Sequence, residues 1–391
     1  MGRLRYLTAG ESHGEMLVGI LEGMPAGLSL VAERDINPVL RERQRGYGRG
    51  RRQQIEQDTA RIISGVRNGV TTGAPIALLI QNKDWQHWKE RMPIEPSEVS
   101  IAAVTIPRPG HADLAGAMKY GHSVDLRNVF ERASARETAM RVALGAIAST
   151  LLRAQDIEAI AYVTAIGGIT ASVPKDAFDA RESLSKSRVR VFDAEAEEKI
   201  IAAIDRAKKE GDSLGGTVEC VIKNVPPGMG SHVHWDRKLD GLLTQAVMSI
   251  QAVKAVEIGL GKNASEQRGS ETHDSIFVED GRIHRGANNA GGIEGGMSNG
   301  EPIVVRAAMK PISTLMRPLP SVDLATGEQV DAHVERSDVC AVPALAVIVE
   351  QVVAMTIASE LLETFGGDTV AELTERVAIR RRALRLNTAK P

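Results

Sequence analysis

Residues 338–365 read as one long apolar helix, and a helix that is apolar on every side is stable only when other elements cover it. No run in the chain approaches 18 uninterrupted apolar residues, and the opening M-G-R-L-R-Y-L-T carries no apolar leader core. The expectation is a soluble, unexported, cytoplasmic protein with that helix in its core and no membrane partner. The cover is read from short apolar segments. Residues 4–9 and 16–22 flank the polar turn 10–15 as a strand pair, and 59–66 with 74–80 read as a hairpin. Further strands are expected over 159–169, 216–225, 255–260 and 302–309. Helices are expected over 35–45, with Asp35 as N-cap and Gly46 ending it, then over 133–155, 194–209, 236–253 and 370–384. Residues 82–106, 262–275 and 311–329 read as loops, and 288–300 as a glycine-rich loop. This is not the strand-helix-strand rhythm of a doubly wound parallel sheet. A rough echo runs between the halves: strands, glycine-rich loop and long helix, twice over.

The chemistry begins with residues 41–52, R-E-R-Q-R-G-Y-G-R-G-R-R. Arg41, Arg43, Arg45, Arg49, Arg51 and Arg52 surround Gly46, Gly48 and Gly50. Arginine forks match carboxylate and phosphate oxygens, and glycine lets backbone approach a ligand, so the stretch reads as a mobile anion-gripping loop with glycine hinges. The anion could be nucleic acid, a nucleotide or a small multiply charged metabolite. The net charge of −2 and a pI near 6.5 supply no global basic field, which favours a discrete site. Cys220 and Cys340 stand far apart and outside any CxxC pattern, so neither a disulfide framework nor a metal site is expected.

Other clusters join this loop. His13 lies in G-E-S-H-G beside Ser12, either in a plain polar turn or held at a strand end for proton transfer. His111 in R-P-G-H-A-D lies between Arg108 and Asp113. Residues 131–138, E-R-A-S-A-R-E-T, open the expected long helix. Ser134 with Arg132 and Arg136 could hold an anion at a helix N-terminus, or the arginines could pair with Glu131 and Glu137 at an ordinary capped start. Asp338 reads most simply as the N-cap of the long apolar helix. Walker A, G-x-G-x-x-G and H-E-x-x-H patterns are absent, which disfavours ATPase, Rossmann dehydrogenase and zinc-protease readings. Several arginine-rich anion sites, two histidines and no metal constellation argue for a small substrate bearing phosphate and carboxylate.

Residues 10–25, 131–145 and 336–343 closely resemble the three signature segments of the chorismate synthase family. R-Q-R-G-Y-G-R-G at 43–50, R-P-G-H-A-D at 108–113 and M-K-P-I-S-T at 309–314 match its other blocks in order, and the resemblance covers the chain essentially end to end. It implies an α+β fold: a βαβ sandwich of long helices between two antiparallel sheets, in a single catalytic domain over residues 1–391. Its pseudo-repeated halves would meet near residues 155–215, and the assembly would be a homotetramer. It implies a carbon–oxygen lyase of aromatic amino acid biosynthesis. The reaction converts 5-enolpyruvylshikimate 3-phosphate to chorismate and phosphate by 1,4-anti elimination, using reduced FMN, with NADPH as a source of reducing equivalents.

Carried over by motif, His13 resembles the proton donor to the reduced flavin and His111 the acid for the departing phosphate. Asp338 is similar to the aspartate that assists proton removal by way of flavin N5, with Ser12 and Ser134 in support. FMN contacts would fall on Arg132, Ala133, Ser134, Gln251, Ala252, Gly295, Lys310, Pro311, Ile312, Ser313, Thr314 and Arg336. Arg43 and Arg49 match positions associated with pyridine nucleotide. Arg49, Arg108, Arg136 and Arg336 suit the substrate's phosphate and two carboxylates. Two rival classes stand beside this one. A nucleic-acid-binding protein would use the 41–52 loop and bind with a steep salt dependence. A flavoprotein oxidoreductase would consume NADPH in proportion to product.

Overall fold

The computed structural model describes residues 4–50, 56–99, 101–334 and 338–382. Strands β1 (Arg5–Ala9), β2 (Met16–Glu22), β3 (Ala60–Ser64) and β4 (Ile76–Gln81) form an antiparallel sheet in the order β1-β2-β4-β3. Strands β5 (Glu158–Ile166), β6 (Ile169–Thr170), β7 (Gly216–Lys223), β8 (Val253–Ile258) and β9 (Ile303–Met309) form a second, in the order β8-β9-β7-β5-β6. All of its pairings are antiparallel too. Burial alternates along them as the pleat requires: Val218, Cys220 and Ile222 of β7 and Ile303, Val305 and Ala307 of β9 face the core.

The principal helices are α1 (Asn37–Gln44), α2 (Asp113–Tyr120), α3 (Arg127–Ala133), α4 (Thr138–Arg153), α5 (Ala194–Glu210), α6 (Leu239–Met248), α7 (Val342–Phe365) and α8 (Val370–Arg381). Helix α4 packs against β2 and β4, α7 packs against β5 and β7, and the two helices pack against each other. Glycine makes both approaches of α4 possible. A Cβ on Gly19 of β2 would lie 2.4 Å from the Met140 sulfur, and one on Gly145 would lie 2.5 Å from the Gln351 carbonyl oxygen of α7. The Ser149 hydroxyl then donates to Gln351 Oε1 at 2.8 Å across the same crossing. Helix α7 is the one helix among the described residues long and apolar enough to cross a membrane, yet it lies inside the core.

Several boundaries differ from expectation. Asp35 is not an N-cap: a π-helical turn, Ala32–Ile36, precedes α1, and the Asp35 carboxylate sits inside it, accepting the Val31 N–H at 2.8 Å. The helix expected from 133 begins at Thr138, because Ser134 is extended and a 3-10 turn, Ala135–Glu137, intervenes. The helix expected over 236–253 is confined to α6, since Val253 is drawn into β8 by its pairing with Met309. Helices α2 and α3 arise where no element is expected; Gly121, at φ 72°, ends α2 in the left-handed conformation. A hairpin Pro320–Val322/Gln329–Asp331 begins inside the expected 311–329 loop, and another, Ile276–Glu279/Arg282–Arg285, forms where no element is expected.

Gly145→Ala tests the central crossing. Alanine gains about 1 kcal/mol of helix propensity, which overpacking against a backbone oxygen, at about 1–3 kcal/mol, outweighs. The urea midpoint is expected to fall with an unchanged slope; an unchanged or raised midpoint would mean that the helices separate freely.

Candidate active site

The G-E-S-H-G turn joins β1 to β2. Gly10 is required there: its φ is +106°, and a Cβ would lie 2.4 Å from the Met16 carbonyl. The turn sets His13 against the end of α3, where Nδ1 lies 2.7 Å from Glu131 Oε1 and the His13 N–H donates to Oε2, also at 2.7 Å. The imidazole stacks on Trp88 with ring centres 3.8 Å apart. Ser12 donates its N–H to the Glu131 carbonyl at 3.0 Å, and its hydroxyl accepts from Ser134 at 3.2 Å. Asn82, at the end of β4, braces the turn by donating to the Gly14 carbonyl at 2.7 Å. Its own Oδ1 accepts from Arg136 Nε at 3.0 Å and Nη2 at 2.8 Å.

Arg136 leads into a buried charge cluster. Its Nη1 donates to both oxygens of Asp58, at 2.6 and 2.8 Å. Arg43 lies 3.6 Å from the same carboxylate and donates to Thr138 Oγ1 and to the Ala135 carbonyl. Burial pulls the Arg43 pKa down to about 10, although the Asp58 charge works against it. Arg49 Nη1 meets Asp338 Oδ2 at 2.9 Å, and the Gly50 N–H donates to Asp338 Oδ1 at 2.6 Å. Asp338 is therefore not the N-cap of α7, which starts at Val342 after Ala341.

The 41–50 loop also departs from a mobile hinge. Gly48, at φ +86°, packs so closely that a Cβ would lie 3.0 Å from Ile204 and 3.3 Å from Cys340. Tyr47 is tied to Asp205 through its hydroxyl at 2.8 Å. Arg43 and Arg49 turn inward onto carboxylates, while Arg41 and Arg45 stay exposed, Arg45 against Glu42; Arg51 and Arg52 lie outside the described residues. Arg132 and Arg136 do not share a helix face. The break at Ser134 sends Arg132 to the Thr8 carbonyl and hydroxyl, at 2.6 and 2.8 Å, and Arg136 into the core.

His111 follows the same plan as His13. Its Nδ1 lies 2.5 Å from Asp113 Oδ1, and Arg108 donates through Nε to Asp113 Oδ2 at 2.8 Å. Burial raises the Asp113 pKa, but the hydrogen bonds from His111 and Arg108 outweigh it and hold the carboxyl well below its ordinary value. The Arg108 guanidinium lies 5.0 Å from the centre of the Phe130 ring. Consecutive residues of α3, Phe130 and Glu131, thus hold the His111 and His13 loops. Lys310 Nζ donates to the Gly110 carbonyl, which ties the 310–314 segment to the His111 loop.

Of the residues expected around a flavin, Lys310 donates its N–H to the Ala252 carbonyl at 3.0 Å, which brings the 251–252 and 310–314 segments together. Ala252 adopts φ 68° at this corner. Pro311 follows Lys310, the Ile312 carbonyl accepts from Ser213 Oγ at 2.7 Å, and Ser313 and Thr314 continue the segment. A cavity of about 390 Å³ is lined by Tyr6, Thr8, Arg132, Glu137, Arg141 and Gln251, with Leu7 at its wall. Ala133 ends α3 beside Ser134. Gly295 lies in the turn whose next residue, Gly296, accepts the Leu239 N–H at the start of α6. Arg336 lies outside the described residues. Asn82 and Asp58 carry no local signal of a role, and Trp88 meets His13 only through the fold. Glu131 was visible inside the E-R-A-S motif but pairs with His13, not with an arginine.

A family model described as chorismate synthase matches residues 4–362. The chain belongs to the chorismate synthase family. Curated relatives named chorismate synthase include one from Syntrophotalea carbinolica, 54% identical over 96% of this chain and 97% of its own length. Another, from Thermus thermophilus, is also 54% identical, over 96% and 97%. A solved structure titled "Crystal Structure of Chorismate Synthase" superposes with a TM-score of 0.79 at 42% identity, covering 97% of this chain and 98% of that one. Family membership makes the chain a lyase of the shikimate pathway.

Asp58 offers a direct test of the cluster. Asp58→Ala leaves Arg43 buried without its carboxylate and Arg136 with only Glu56, 3.8 Å away. The expected loss is about 3–5 kcal/mol of unfolding free energy by chemical denaturation; a loss below about 1 kcal/mol would show the cluster to be structurally idle.

Proposed function

We propose that this chain eliminates phosphate from 5-enolpyruvylshikimate 3-phosphate to form chorismate, with reduced FMN as cofactor. The observation that carries the reading is one connected network. It runs from Glu131–His13 and Ser12–Ser134 through Asn82 and Arg136 to Asp58 and Arg43, beside the Arg49–Asp338 pair. It supports the reading that His13, Ser134, Arg43, Arg49 and Asp338, far apart in the chain, serve one site.

The residues present fit a flavin, whose hydroxyls and ring N–H suit an orphaned acceptor and whose phosphate suits the nearby cations. Gln251 Oε1 is buried with no hydrogen-bond partner among the described residues, an acceptor ready for an N–H or hydroxyl. Arg132 and Gln251 share the cavity wall, and Lys310, whose backbone joins Ala252, carries a further charge to the Gly110 carbonyl. The holding residues would be Arg132, Ala133, Ser134, Gln251, Ala252 and the 310–314 segment, with Gly295 and Arg336 closing the set. When bound, the reduced flavin supplies the electron-rich ring that lets an allylic C–O bond break with no net redox change.

The chain's own groups do the rest. Arg49, Arg108 and Arg336 neutralise the phosphate and carboxylates of the substrate, while Arg136 acts from behind as a buried anchor. His111 protonates the departing phosphate, His13 is the second proton donor, and Asp338 assists removal of the substrate proton. Ser12 and Ser134 hold the His13 turn. Arg43 is spent on Thr138 and Asp58, which supports a monofunctional enzyme whose flavin is reduced elsewhere, with NADPH as the distant electron source.

The layering of β1–β4, α4, α7 and β5–β9 supports a βαβ sandwich with pseudo-duplicated halves, divided near residues 155–215 within one catalytic domain. The working assembly is a cytoplasmic homotetramer.

Anaerobic mixing with chemically reduced FMN and substrate tests the activity by the absorbance of chorismate. Product is expected without NADPH, and His13→Ala and His111→Ala are each expected to lower kcat by roughly 10²–10⁴. An inert wild-type protein, or product that requires stoichiometric NADPH, would overturn the reading.

A further inference from the structure

Glu131 is 2% exposed, and both of its carboxylate oxygens are engaged by His13 alone: Oε1 by Nδ1 and Oε2 by the backbone N–H, each at 2.7 Å. Among the described residues no lysine or arginine lies within ion-pair distance of it. Arg132 beside it goes to Thr8, and Arg136 goes to Asp58. A buried carboxylate is costly unless a hydrogen is held against it, so the imidazole proton is drawn to Nδ1. That reverses the ordinary preference of neutral histidine for the Nε2–H form; the partner of one ring nitrogen decides the state of the other. The ring plane is fixed as well. Trp88 stacks on it at 3.8 Å, and the Trp88 indole N–H is anchored on Asp84 Oδ2 at 3.0 Å. Rotation of the ring would break the Nδ1 bond and the stack together.

We infer that Glu131 is the positioning residue of His13: it holds a proton on Nδ1, sets the ring plane against Trp88 and assigns proton exchange with the bound ligands to Nε2. The inference rests on the reading above that His13 transfers a proton during turnover. Its geometric part, the tautomer, stands independently of that reading. A glutamine at 131 has one acceptor where the carboxylate has two. With the amide oxygen on the His13 N–H, its NH2 group donates to Nδ1 and selects the Nε2–H form, in which Nδ1 cannot keep a proton while Nε2 gives one up.

The test uses the full chain labelled with 15N in its histidine rings, with His13→Gln to assign the signal among the nine histidines. In the wild type, Nδ1 of His13 is expected to stay protonated throughout and only Nε2 to titrate. In Glu131→Gln the neutral ring is expected to switch to Nε2–H, and kcat with chemically reduced FMN to fall by roughly 10²–10⁴, with the substrate KM changed by no more than about threefold. Glu131→Asp, which keeps two acceptors, is expected to retain more of kcat than Glu131→Gln. A wild-type His13 with Nδ1 unprotonated in its neutral form overturns the inference even if no variant folds. So does a Glu131→Gln protein that turns over at the wild-type rate. An inert wild type with the expected tautomer would instead sink the functional reading and leave the placement of the ring intact.

Discussion

The Asp58 carboxylate, sealed from solvent between Arg136 and Arg43, is the interaction on which the site depends. Two guanidinium groups buried at this depth need a counter-charge, and Asp58 is the carboxylate that touches both. Through Arg136 the pair reaches Asn82, which braces the His13 turn from the end of β4. Through Arg43 it fixes the start of α4 at Thr138 and lies beside the loop that delivers Arg49 to Asp338. Removing water from this region strengthens each of these contacts and leaves little slack in where His13 can sit.

The scaffold explains why the cluster can be so tightly closed. Helix α4 is pressed between β2 and α7, with Gly19 on one side and Gly145 on the other, so its N-terminal end cannot drift relative to either sheet. The α3–α4 junction is what makes chemistry of this packing. Because the chain breaks at Ser134, Glu131 and Arg136 face different ways: one toward the His13 turn, the other into the core. A single continuous helix through these residues would have put Arg132 and Arg136 on one face.

Much of this was legible in the sequence. Period-two and helical spacing located the β1–β2 pair, the later strands and helices α5 and α7, and the motifs located both histidines. The misses share a cause. Val253 reads as the end of a helix until Met309 claims it for β8, and Asp338 reads as an N-cap until Arg49 and Gly50 claim its carboxylate. Asp58 and Asn82 sit in unremarked polar stretches and acquire meaning only from Arg136, 78 and 54 residues away. Local pattern reports local preference, and tertiary pairing overrides it where buried charge must be satisfied. The basic loop shows the same effect: six arginines look like an exposed grip, yet Arg43 packs onto Asp58 inside the fold and Arg49 is oriented by Asp338.

The central claim is that the buried charge cluster governs the acid His13 by way of Asn82. Its most direct test is the anaerobic single-turnover rate of Asn82→Ala with saturating reduced FMN and substrate. If the cluster positions His13, the rate falls roughly 100-fold, the scale of a misplacement near 1 Å, while both ligands still bind. A rate equal to the wild type in a folded variant would contradict it.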